Sequence, residues 1–131
     1  MRSRIITAPP RCVAVNIDEE KAATLKKLLE EYKAELFIAD KDCGGQKIGW
    51  LCGFNGFSES DKKEECSEQL MIFSGFRNNV LSGLVGKMRE CGCSVDLKAV
   101  ATPHNQRWTV NELAEHLHKE HEAMHGITNK N

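Results

Sequence analysis

The chain has 131 residues, 40% of them apolar and 28% charged, with a formal charge of −1. That is one domain's worth of core, without the basic surplus of a nucleic-acid binder or the acidic surplus of a disordered chain. No apolar run of about 18 residues is present to cross a membrane, and Met1 to Arg11 lacks the apolar centre of a secretory signal, so a cytoplasmic protein is expected.

Pro9 and Pro10 cannot donate ladder hydrogen bonds, so residues 1–11 read as frayed or weakly extended. Cys12 to Ile17 reads as a strand with Val13, Val15 and Ile17 on one face. Asp18 is placed to cap a helix that runs to about Tyr32, with the apolar stripe Ala22, Leu25, Leu28, Leu29 and Tyr32. Glu35 to Asp40 is a second strand, broken by Asp42-Cys43-Gly44-Gly45. A short helix follows over about Lys47 to Cys52. Asn55 to Glu68 is polar and reads as a solvated crossing loop.

Leu70 to Ser74 is apolar throughout and predicts a strand buried on both faces. Val80, Leu81, Leu84, Val85, Met88 and Cys91 form the stripe of the next helix, with Gly92 as its left-handed stop. Ser94 to Ala101 alternates as a half-exposed edge strand does. After the loop Thr102 to Trp108, Thr109 and Glu112 form a capping box that opens a last helix, which Gly126 is expected to end.

The chain reads as two copies of one unit. Leu25, Leu28, Leu29 and Tyr32 recur as Leu81, Leu84, Val85 and Met88, shifted by 56 (81 − 25). Ile48, Leu51 and Cys52 recur as Val110, Leu113 and Ala114, shifted by 62 (110 − 48). The pattern predicts a single α/β domain made of two βαβα repeats, over about 12–54 and 69–125, with a linker at 55–68. The expected sheet has four mostly parallel strands in the order 2-1-3-4, with helices on both faces. An antiparallel joint between the halves is the alternative.

Met71-Ile72-Phe73-Ser74-Gly75-Phe76, Ala99 to Pro103, and Asn105 to Leu113 resemble a bacterial family of small uncharacterised proteins, family 3783 among the domains of unknown function. The resemblance covers about residues 68–120. It implies an α/β fold and a bacterial, cytoplasmic protein, and it implies no reaction.

Ligands of parallel sheets bind beyond the carboxyl ends of the strands. The loops following the third and fourth strands offer Ser74, Arg77, Asn78, Thr102, His104, Asn105, Arg107 and Trp108 there. Two planar guanidinium groups and a helix start suit an anion or a carboxylate-bearing partner. No acid–base pair, nucleophile elbow or phosphate loop is present, which argues against an enzyme. The expectation is a non-catalytic binding or regulatory module without a cofactor. It would recognise a partner protein or a small anionic ligand, bind neither nucleic acid nor membrane, and have an edge strand open to homodimer formation.

The competing reading is a zinc- or iron-binding or thiol-redox protein. Cys91 and Cys93 flank the glycine of a tight turn, and His121 and His125 share a face of the last helix, so two thiolates and two imidazoles would meet with the donor types of a zinc site. Against thiol chemistry, a helix carboxyl end disfavours a thiolate. The six cysteines otherwise read as reduced and mostly buried.

Overall fold

Cys12, Val13, Ala14 and Val15 put apolar side chains on both sides of one extended segment, and all four are buried. They form β1 (Arg11–Val15) in the computed structural model, which describes residues 9–129, with side chains described through Glu120. Most of the expected frayed lead-in lies outside the described residues.

Asp18 caps α1 (Glu19–Glu31), its carboxylate accepting from the Lys21 amide at 2.7 Å. Then follow β2 (Glu35–Ala39), the one-turn α2 (Ile48–Leu51), β3 (Leu70–Ser74), α3 (Asn78–Cys91), β4 (Leu97–Val100) and α4 (Val110–Asn129). The fourth strand is shorter than expected: Ser94 and Val95 lie outside the ladder, where the Ser94 hydroxyl and the Val95 carbonyl accept from the Lys98 ammonium. The last helix passes through Gly126 to Asn129. A glycine inside a helix costs only about 1 kcal/mol relative to alanine and does not by itself end it.

The strands lie in the order β2-β1-β3-β4, as the sequence predicts, but the sheet is mixed rather than mostly parallel. β1 pairs with β2 and β3 with β4 in parallel, while the central β1–β3 pair is antiparallel, Val13 facing Ile72. A strand buried on both faces carries the same apolar run in either direction, so the pattern did not dictate this joint.

Cys12, Ala14, Met71 and Phe73 face a layer made by α1 and α3, whose Leu25, Leu29, Leu84 and Met88 are fully buried. Val13, Val15, Leu70 and Ile72 face the other layer, built on Ile48, Leu51, Val110 and Leu113 of α2 and α4. Each such side chain contributes about 1.5–3 kcal/mol by leaving water.

Corresponding elements of the two halves begin 59 residues apart (70 − 11 and 78 − 19), then 62 apart (97 − 35 and 110 − 48). The left-handed residues agree: Asn16 and Lys33 correspond to Gly75 and Gly92, again 59 apart. The offset of 56 read from the helical stripe is three residues short. Three residues are close to one helical turn, so the stripe repeats almost as well at the wrong shift.

The segment expected to be a solvated linker is bound to the first half. Glu64 pairs with Cys43, the Gly44 amide donates to the Glu64 carbonyl at 2.7 Å, and the Cys66 amide donates to that of Lys41 at 2.7 Å. Buried Gln46 exchanges two hydrogen bonds with the Ser60 backbone. Cys66 is itself buried.

Candidate functional site

The antiparallel joint places the carboxyl ends of β3 and β4 at one edge of the sheet and those of β1 and β2 at the opposite edge. At each edge two neighbouring parallel strands send their connections to opposite faces, because α1 and α3 share one layer and α2 and α4 the other. Such a divergence opens a crevice at the strand ends. At the β1/β2 edge the crevice is occupied by the chain itself: Asn16 Nδ2 donates to the carbonyls of Cys66 and Glu68, while Lys41 and Gly44 bind the same segment from the other side.

At the β3/β4 edge seven of the eight residues singled out from sequence fall into two groups, and Trp108 stands between them. Ser74, Thr102 and Asn105 work inside the fold. Ser74 is buried beside Cys52, where it partly offsets the burial that pushes the Cys52 thiol up. Asn105, 9% exposed, accepts from the Thr102 amide at 2.8 Å and donates to the Val100 carbonyl at 2.9 Å; its own amide donates to Thr102 Oγ1 at 3.1 Å. These bonds fix the 102–108 loop from within.

Arg77, Asn78, His104 and Arg107 are exposed. Arg77 occupies the N-cap position of α3, where no side chain caps the helix. Trp108 is half-buried against the α2/α4 layer, stacked on His116 with centroids 4.2 Å apart and meeting His104 edge-on at 5.4 Å. The two loops therefore leave one sheet edge but diverge to its two faces. Arg77 thus stands on the loop that leads to the α1/α3 layer and Arg107 on the loop that leads to the α2/α4 layer, both exposed.

The 102–108 loop is also tied to α2. The Ile48 amide donates to the Trp108 carbonyl and the Gly49 amide to that of Gln106; reciprocally, Val110 donates to Gln46 and Asn111 to Gly44. Each bond has its counterpart 62 residues away, and Lys47 pairs antiparallel with Thr109 itself. The sequence signalled these positions only as a glycine pair and a capping box. Gly44 is required here because a Cβ would stand against the Asn111 side chain and 2.7 Å from the Glu64 carbonyl oxygen.

The residues of the metal reading are less convergent. Cys91 is exposed at the end of α3, whereas Cys93 is buried in the α1/α3 layer, where burial first, then the nearby Cys91, pushes its thiol pKa up. The side chains of His121 and His125 lie outside the described residues, and α4 packs on the opposite face of the sheet from Cys93. Among the described residues no group of three or more histidine, cysteine or carboxylate side chains is arranged to hold a metal ion. No helix among them is long and apolar enough to cross a membrane.

Residues 69–124 match the family model described as Domain of unknown function (DUF3783). The DUF3783 match spans β3, α3, β4 and α4 as far as Met124, and therefore includes the whole β3/β4 edge with both of its loops. It is the family whose resemblance the sequence carries over about residues 68–120. No curated protein and no solved structure matches the chain.

Proposed function

We propose that the protein is a non-catalytic binding module that takes a carboxylate- or phosphate-bearing partner in the crevice at the β3/β4 edge. The observation that carries this reading is the division of labour in the loops. Asn105 and Thr102 hold the 102–108 loop backbone, while Arg77, Asn78, His104 and Arg107 are left exposed. Groups fixed before binding lose little freedom on binding. Guanidinium groups donate in the planar fork that matches a carboxylate or phosphate. Among the described residues the other edge is occupied by the chain's own segment, which favours this one as the edge that meets a partner. The equal spacing of the elements supports, in the same reading, an origin of the two halves by duplication.

The test is a titration of isotope-labelled protein with citrate, inorganic phosphate and poly-glutamate, followed by amide chemical shifts. Shifts are expected at residues 75–79 and 102–108. Arg77→Ala and Arg107→Ala are each expected to weaken binding at least fivefold while the melting temperature stays unchanged. Absence of shifts at those amides with all three probes refutes the reading.

A further inference from the structure

A second surface lies along β2, next to the edge that the 55–68 segment occupies. β2 is an outer strand, paired with β1 along one side only. Its Ile38 is 48% exposed, one of two large apolar side chains left that open among the described residues. Outer strands are usually protected by charge, proline or a covering loop, since their free N–H and C=O groups template further pairing. Glu35 guards the start of this edge, and Ile38 leaves an apolar side chain open farther along it.

Beside β2, on the α2 face, lies a cavity of about 180 Å³. Phe37 and Trp50 line it, their rings meeting nearly at right angles (80°) with centroids 6.4 Å apart. Asp40, Asp42 and Glu59 also line it. An aromatic corner with carboxylates at its rim is the chemistry that attracts an ammonium or guanidinium group. The chain itself gives two signs of this. Lys63 lines the same cavity and brings its ammonium to 4.0 Å from Asp42, and the Arg11 guanidinium lies 5.8 Å from the centroid of the Phe37 ring.

We infer that this edge takes an extended segment of a partner protein, added as a strand beside β2, with a lysine or arginine seated in the Phe37–Trp50 cavity and an aliphatic residue next to it in sequence packed on Ile38. The alternation follows from strand geometry. Phe37 and Ala39 face the α2 side and Ile38 the other, so neighbouring side chains of an added strand fall on opposite faces in turn. Lys63 is then a tethered competitor for the cationic position.

The experiment uses the full chain and a fluorescent peptide, Thr-Thr-Val-Lys-Val-Thr-Thr, read by anisotropy and by amide exchange of the labelled protein. Binding is expected to slow exchange at residues 35–39 and to move the Trp50 indole resonance. Asp40→Asn combined with Asp42→Asn is expected to weaken it at least fivefold, Ile38→Lys to abolish it, and Lys63→Ala to tighten it severalfold. All these positions are exposed, and an unchanged melting temperature confirms that the variants fold. Equal binding of the same peptide with glutamate in place of lysine overturns the inference, as does absence of binding at millimolar peptide. Concentration-dependent dimerisation abolished by Ile38→Lys also overturns it, because the occupant is then a second copy of this chain.

Discussion

Asn105 and Arg107 sit two residues apart in one loop and do different jobs. Asn105 spends its donor and acceptor on the Val100 carbonyl and the Thr102 amide in a place water reaches poorly. Truncation leaves both partners without a bond, at a cost of about 1–3 kcal/mol for each group left buried and unpaired. We expect Asn105→Ala to lower the unfolding free energy by about 2 kcal/mol in urea titration, whereas Arg107→Ala changes it by less than about 0.5 kcal/mol, as exposed substitutions do. Part of this was legible in the sequence. An asparagine in a loop before a capping box suggests local backbone bonding, and the Thr109–Glu112 box itself formed, with bonds of 2.8 and 3.2 Å. Which of the eight side chains face inward was not fully legible, because the burial of Ser74 beside Cys52 is set by the tertiary fold.

At the scale of elements, the glycines separate local from long-range requirements. Gly86 lies inside α3 with nothing within 4 Å of where a Cβ would be, so Gly86→Ala is expected to raise stability by about 0.5–1 kcal/mol through helix propensity alone. Gly44→Ala is expected to destabilise, since the new methyl displaces either Asn111 or the Glu64 backbone. Thermal unfolding of the two variants should move in opposite directions. The sequence marks both positions equally, as glycine. The elements themselves were readable from periodicity, and the strand order from the unbroken apolar run Leu70 to Phe73. The fate of residues 55–68 was not readable, because the segment is fastened through its own backbone groups, by Lys41, Gly44 and the side chains of Gln46 and Asn16, and that leaves no imprint on its own side-chain polarity.

Across the whole molecule, the antiparallel joint decides the function that can be argued. With four strands mostly in parallel, every loop of interest would crowd one edge; here the strand ends of the two halves lie at opposite edges, and among the described residues the 64–68 segment is bonded across one of them. The thiols report on the same core. Burial is the main cause that pushes Cys12 up to about 12 from an ordinary 9.0, and Cys43 up to about 11. A thiol that stays protonated in the folded state contributes its full stability below the unfolded value and loses it as pH rises toward the folded one. The expected result is an unfolding free energy that falls between pH 9 and pH 12, on the order of 2 kcal/mol by pH 10.5 from Cys12 alone. Urea titrations under reducing conditions check it, and the slope should flatten in Cys12→Ala.

The reciprocal bonds of residues 46–49 with residues 106–111 have a mechanical meaning. Each loop supplies carbonyl acceptors to the helix of the opposite half and receives the same support in return. Loosening either loop unseats both helices at once. The two halves are therefore expected to melt as one cooperative unit, with Arg107 carried on a loop fastened to the centre at both ends.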